Sequence, residues 1–495
     1  MFRYVVFTSI ILLIRTYSVL AQEDTLSKSK VRMSAETALI FASGVQPPFW
    51  LRTNTYGSVP PHSTSGLAVV EGDFQSNKRA NSPQLRLHIG VVSQLSKKSN
   101  FIIQTGEANF QYKGLDIYAG RRKEIIGIGD TLLSSGFYAW SGNALPLPKL
   151  HIGTKGFLPL QFTKDFVSLQ GTLAHGWFGK GEAATDYYLH QKTMFVRLGK
   201  PFHRLKLYAG VAHYAQWGGY APLLIGLNRT DPTGAMPKSF KDFMYVVIAK
   251  NKPQTPNISS YDSINTIGNH IATLDLAISY RFPNSEWLFY HQHPAETEVG
   301  ISQNFPDGLY GISWSNTKSS KAQVRIKRIL VEVLSTLDQS MRYDKKWGYL
   351  GDDYFNNSQY MDGWTYRRHL IGTPFVTLRT DSRPEWYDAM GGINEKNYRL
   401  INGNAVQMIY AGIQGTYRNN THIVVKLAYS QNHIYYINGV GYQKYLSQFS
   451  GYVEVKQKVQ SIKNCYIKFA LGLDKGDWLP NNLGAHFSIQ KTGFW

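Results

Sequence analysis

The segment Leu483-Gly-Ala-His-Phe-Ser-Ile-Gln-Lys-Thr-Gly-Phe-Trp495 alternates in polarity up to a final aromatic residue. Leu483, Ala485, Phe487, Ile489, Lys491 and Trp495 share one parity and are mostly apolar. His486, Ser488, Gln490 and Thr492 share the other. Side chains two apart lie on one face of a strand, so one face is greasy and the other wet. Such a strand predicts the closing strand of a transmembrane β-barrel, its aromatic end on the periplasmic side. The pattern recurs along the chain. Leu85, Leu87, Ile89 and Val91 alternate with Arg86 and His88. Ala272, Leu274, Leu276, Ile278 and Tyr280 alternate with Thr273, Asp275, Ser279 and Arg281. Leu205, Leu207, Ala209 and Val211 repeat it, as do Ile423, Val425, Leu427 and Tyr429. Alternating segments divided by turn residues mark a barrel with lipid outside and water inside. Strands of a soluble β-sandwich alternate too; the aromatic end and the number of segments favour the barrel. Val324–Leu334 breaks the alternation partway.

Export is expected as well. Arg3, an apolar run from Val5 to Ile14 and the small-residue site Val19-Leu-Ala21 compose a secretory signal peptide. The apolar run is too short for a spanning helix, which needs about 20 residues. This gives a signal peptide over 1–21, an N-terminal periplasmic segment over 22–46 and an outer-membrane barrel over 47–495. The 32 Tyr, 25 Phe, 11 Trp and 44 Gly suit aromatic girdles, turns and close strand packing. Basic residues exceed acidic ones by twenty. In an exported protein that excess points to lipopolysaccharide, acidic polysaccharide or lipid head groups rather than nucleic acid. The single cysteine, Cys465, excludes an internal disulfide and shares a strand face with Ile467, Phe469 and Leu471, as packing filler.

Asn228–Gly234, Asn251–Asn257 and Gly351–Ser358 read as loops. Phe240, Phe243, Met244 and Val247 have helical spacing, and Ser239 with Asp242 forms a capping-box start after Pro237. That predicts a short helix, inside the lumen or at the membrane surface, whose apolar face serves packing. Gln22–Ala42 offers only a short helical stretch around Ala35–Phe41.

Pro47-Pro-Phe-Trp-Leu-Arg-Thr-Asn-Thr-Tyr-Gly57 resembles a motif of the capsule-assembly Wzi family, in particular its Bacteroides-type members. Ala119–Asp130, Leu133-Ser-Ser-Gly136, Trp140–Ala144 and His175-Gly-Trp-Phe178 follow in the family's order. The resemblance implies a barrel of eighteen strands that acts as a lectin, helping capsular polysaccharide attach to the cell surface. The helical bundle of enterobacterial members has no counterpart here. It also implies insertion by the barrel-assembly machinery through the C-terminal strand, a monomer, and no cofactor.

Glycan recognition calls for flat apolar faces under sugar rings and basic or polar groups for hydroxyls and carboxylates. The densest cluster supplies the candidates Lys346, Trp347, Tyr349, Tyr354 and Trp364, followed by Arg367, Arg368 and Trp386. Membrane-interface aromatics and solvated charges are the plain alternative. Arg121, Arg122 and Glu124 read as a lumenal charge network. His291-Gln-His293 with Glu296 and Glu298 has ligand-type residues without a recognised metal spacing. Ser134-Ser135 lacks nucleophile-elbow glycines, and Gly127-Ile-Gly129 lacks a phosphate-loop pattern. A non-enzymatic glycan-binding barrel is therefore expected, with a porin and a barrel-rim hydrolase as alternatives.

Overall fold

The computed structural model describes residues 30–76, 82–227, 230–251, 266–296, 304–318, 322–339, 342–344, 348–350, 352–387, 400–437 and 440–494. The signal-peptide reading, Lys346, Trp347, Glu298 and Trp495 lie outside these residues. One antiparallel sheet closes on itself as an eighteen-stranded barrel. The first strands are β1 (Lys30–Ala42), β2 (Thr64–Gln75), β3 (Gln84–Leu95), β4 (Asn100–Tyr112) and β5 (Leu115–Arg121). β6 (Lys149–Thr154) resumes at Leu158–Pro159, both pieces pairing with β7 (Val167–Lys180). β8 (Thr185–Leu198), β9 (Leu205–Trp217), β10 (Asn269–Arg281), β11 (Ser285–Pro294), β12 (Gly308–Asn316) and β13 (Val324–Ser335) follow. β14 (Val406–Tyr417), β15 (Thr421–Ile437), β16 (Val440–Lys458), β17 (Cys465–Gly476) and β18 (Asn482–Phe494) complete the wall.

β18 pairs with β1, from Gly484↔Ala42 to Phe494↔Arg32, which removes both sheet edges. The barrel thus already includes Lys30–Ala42, inside the segment assigned to the periplasm, and does not wait until Pro47. The helical reading of Ala35–Phe41 is corrected with it. Ala38 and Ile40 are buried inward, whereas Phe41 is half exposed outward, a period of two. So short an apolar stretch satisfies either period, and pairing with both neighbours decides it. The break in Val324–Leu334 is a β-bulge between Ile326 and Arg328.

Alternation sorts the wall as expected. In β10, Thr273, Asp275 and Ser279 are buried, while Leu276, Ile278 and Tyr280 are exposed to lipid. Connections at the end where Lys30 and Phe494 lie are short, such as 113–114, 282–284 and 418–420. At the far end four are long: 43–63, 122–148, 218–268 and 336–405.

The described residues of 43–63, 122–148 and 336–405 pack together inside the lumen. Phe49 and Trp50, from helix α1 (Phe49–Arg52), meet Phe375 at 4.9 and 5.8 Å, and Trp50 meets Tyr410 of the wall at 5.4 Å. Tyr138 packs on Phe355 at 4.9 Å, and Trp140 stacks on Tyr214 at 5.3 Å. Polar wall residues hold the plug by hydrogen bonds. Glu332 accepts from Ser134 Oγ and the Ser135 N–H, both 2.7 Å, and from Tyr290. Asp474 accepts from the Phe49 N–H at 2.7 Å, and Trp50 Nε1 donates to the Ser450 carbonyl at 3.0 Å.

The Pro-Pro-Phe-Trp motif needs glycines beneath it. Gly472 and Gly484 face each other across β17 and β18. A Cβ on Gly484 would sit 2.6 Å from Pro48 Cδ, and one on Gly472 3.0 Å from Leu51 Cγ. Gly484→Val should therefore lower stability by about 1–3 kcal/mol through overpacking, read as a lower thermal midpoint. An unchanged midpoint would mean the motif does not rest on this seam.

The fourth long connection behaves differently. Helix α2 (Phe240–Ile248) forms where predicted, with both capping-box bonds: Ser239 Oγ accepts the Asp242 N–H at 3.2 Å, and Asp242 Oδ2 accepts the Ser239 N–H at 2.9 Å. It lies against the outer face of the barrel.

Candidate functional site

β5 and β6 stop well below their neighbours at the far end. Arg121 pairs with Gly106, so residues 100–105 of β4 rise above β5; Lys149 pairs with Gly176, so residues 177–180 of β7 rise above β6. The result is a notch in the far rim. A groove of about 1350 Å³ runs from the top of the plug to this notch. Its walls include Arg52 and His62 from 43–63, Ile102 and Ile103 of β4, Lys180 of β7, and residues 365–370.

Below the groove, Phe178 stacks on Tyr187 at 4.6 Å, and Tyr366 lies edge-on at 6.1 Å. These rings are almost fully buried, so they build the floor and offer no free stacking face. Exposed apolar lining comes from Val45, Phe101 and Ile103.

A two-residue hairpin stands at the groove. Thr365–Tyr366 pairs with His369–Leu370, leaving Arg367 and Arg368 at the tip with φ of 50° and 60°. Both are left-handed, the type I′ arrangement that favours Asn-Gly. Each non-glycine residue held this way costs about 1 kcal/mol or more. Both arginines are exposed and line the groove.

Charge favours an anion. Five cations (Arg52, Arg121, Lys180, Arg367, Arg368) line the groove against three carboxylates (Glu182, Asp362, Asp381). Arg52 pairs with Asp381 at 3.2 Å, and Arg368 with Glu182. Asp362 is committed to structure, accepting the N–H groups of Glu182 and Ala183 at 3.0 and 3.1 Å. Burial raises its carboxyl, and the Ala183 and Ala184 N–H groups partly oppose this. Arg121 donates to Tyr366 Oη at 2.9 Å and to the Pro146 carbonyl at 3.2 Å.

Arg122 and Glu124 bear out the lumenal charge network. Arg122 pairs with Glu107 and, at 2.7 Å, Asp116; Lys149 donates to Glu124 at 2.5 Å. Burial raises the Glu124 carboxyl, but Lys149 and the Tyr118 hydroxyl outweigh it, leaving it below the usual range. Arg121 departs from the network by facing the groove.

The sequence candidates divide. Arg367 and Arg368 come together at the groove. Tyr354 and Trp364 are wholly buried, with their polar atoms taken: Tyr354 Oη donates to Asp307 at 3.0 Å, and Trp364 Nε1 to the Ala139 carbonyl at 2.8 Å. Both are plug core and cannot meet a sugar. Trp386 lies away from the groove, donating to the Asp477 carbonyl at 2.8 Å with Lys444 over its ring at 4.2 Å. Tyr349 sits opposite Tyr343 in a short ribbon. Arg52, Lys180, His62 and His369 were missed; of these only Arg52 stood in a noted motif. His291 stacks on Tyr310 at 4.0 Å, and among the described residues no His/Cys/Asp/Glu group is arranged to hold a metal.

Glu296 instead anchors the plug, accepting the Phe355 N–H at 2.9 Å. Burial raises its carboxyl well above the ordinary 4.5; the Phe355 N–H opposes this, while Asp352 and Asp353 reinforce it. The folded state therefore binds the proton more tightly than the unfolded one. This contribution is full below the unfolded value near 4.5 and is lost as pH rises through the folded value. Hydrogen exchange over 352–364, corrected for intrinsic rate, should show opening that increases with pH, and Glu296→Gln should flatten that dependence. An equal slope in the variant would place the titrating group elsewhere.

No protein-family model matches the chain, and no curated protein matches it in sequence. Solved structures do. Wzi of Escherichia coli, described as a carbohydrate-binding β-barrel involved in group 1 capsule assembly, aligns at TM-score 0.58 and 13% identity, covering 94% of this chain and 84% of its own. OccAB2 of Acinetobacter baumannii aligns at TM-score 0.48 and 9% identity, over 96% of this chain and 100% of its own. OccK5 of Pseudomonas aeruginosa aligns at TM-score 0.47 and 9% identity, over 94% and 98%. At such identities the likeness shows the fold: this chain is an eighteen-stranded outer-membrane β-barrel with the architecture of Wzi.

Proposed function

We propose that this barrel is a non-enzymatic lectin of the outer membrane, binding acidic surface polysaccharide in the far-end groove and helping retain it as capsule. The Arg367–Arg368 tip carries the reading: two guanidinium groups stand exposed in a costly backbone geometry, on a groove rich in cations. Guanidinium groups bind carboxylates with paired, charge-assisted hydrogen bonds, the chemistry of a uronate. The notch supports a chain-like ligand, because a polymer lying in the groove can leave sideways through the lowered rim. With the C-terminus periplasmic, as in barrels of this class, the groove faces the capsule. Recognition here rests on cations more than on ring stacking, since the floor aromatics are buried.

The carbohydrate-binding description of Wzi supports the same role. A porin reading requires a continuous water path, and the inward-folded connections occupy the far lumen with packed rings. Planar-bilayer recordings should accordingly show no large steady conductance. Deleting the gene and measuring cell-bound against shed polysaccharide tests the role in cells. A rise in the shed fraction is expected, and unchanged attachment would refute it.

A further inference from the structure

The outer wall beneath α2 is unlike the rest of the barrel. His175, His190, Lys192, His213 and His270 come from four consecutive strands, β7 to β10. Register puts them on one face, with His175 opposite His190 and Lys192 opposite His213. Strand neighbours of the same parity are exposed to lipid: Trp177, Met194 and Val211. Imidazoles and an ammonium facing hydrocarbon are expensive, and here α2 covers them. Phe243 lies edge-on to His175 at 5.9 Å and His190 at 5.6 Å, and meets Trp217 at 5.2 Å. Lys192 Nζ donates to the Val247 carbonyl, His213 and His270 are 2.9 Å apart, and Val246 is fully buried.

The opposite side of the helix is apolar again. Phe240, Met244 and Ile248 form an i, i+4, i+8 stripe with exposures of 79, 45 and 52%. Lys238, Lys241 and Lys250 flank it, all exposed, and none makes an ion pair among the described residues. Asp242, the helix's own carboxylate, is occupied by the cap. An amphipathic helix with cations beside an apolar stripe is the design of a segment lying at a lipid interface. Here it is mounted on the lipid side of the wall near the far rim.

We propose that α2 is a docking surface for the phosphorylated glycolipid of the outer leaflet. Acyl chains would lie along Phe240, Met244 and Ile248, and the three lysines would meet the lipid phosphates. The site is separate from the groove, and its failure would leave the glycan reading untouched.

The test titrates purified full-length protein in detergent with lipopolysaccharide, and with the same lipopolysaccharide after dephosphorylation, counting bound copies by native mass spectrometry. Wild-type protein should prefer the phosphorylated form. Lys238→Glu/Lys241→Glu/Lys250→Glu should bind it roughly a hundredfold more weakly, since each lysine contributes severalfold near an anionic surface. All three side chains are exposed, so the variant should unfold at the same temperature as wild type. Equal binding of both lipid forms, or equal binding by variant and wild type, would overturn the proposal. Should the triple variant not fold, hydrogen exchange of wild-type residues 240–248 decides: added phosphorylated lipid should slow it, and no slowing would refute the site.

Discussion

Replacing Arg367 and Arg368 together by alanine should weaken binding of an acidic polysaccharide by about a hundredfold or more, taking about 1.5–3 kcal/mol per charged hydrogen-bonding group. Both side chains project from a two-residue turn and are exposed, so stability should hold. A replacement by Asn-Gly at the same positions sharpens the prediction. It relieves the left-handed backbone, so it should stabilise the hairpin while abolishing the affinity. Stability and binding moving in opposite directions is what a turn shaped for a ligand requires. Arg368 pairs with Glu182, so Glu182→Gln should remove one competing carboxylate from that guanidinium and leave binding equal or tighter.

Trp364→Ala should act through the plug and not through the ligand. Trp364 is fully buried, contacts Tyr214 at 5.7 Å and Phe178 at 6.0 Å, and bonds the Ala139 carbonyl. Truncating such a residue costs about 3–5 kcal/mol through lost burial and the cavity left behind. The loss should appear as faster hydrogen exchange across 352–378 and as new conductance in planar bilayers. The β-wall, closed by its own ladder, should remain folded. Reduced glycan affinity with an unchanged exchange profile would instead return Trp364 to the binding surface.

Trp364 and Arg367 are three residues apart yet lie in a packed core and at an open rim, which shows where sequence reading stops. The wall was legible because lipid outside and water inside force a period of two on nearly every strand. Even the irregular stretch at Val324–Leu334 was visible, as the trace of a bulge. The cap and spacing at Ser239–Val247 announced α2, though not the histidines it would cover, which lie on four separate strands. β1 was missed because its apolar part is short and its identity depends on pairing with β18, more than 400 residues away. Tyr354, Tyr360 and Trp364 of the aromatic-rich cluster are buried in the plug, and composition does not distinguish rings that fill a lumen from rings that meet a sugar. That distinction depends on which connections turn inward.

The proposed lectin role requires polysaccharide to sit in the groove at the notch. A photo-reactive fragment of an acidic polysaccharide taken from the surface of the source cells, crosslinked to the purified barrel and mapped by peptide mass spectrometry, tests it directly. Label is expected on 178–182 and 365–369, competed by unlabelled polysaccharide and lost in the Arg367→Ala/Arg368→Ala variant. Competed label confined to residues 345–350, or to the outer wall, would contradict it.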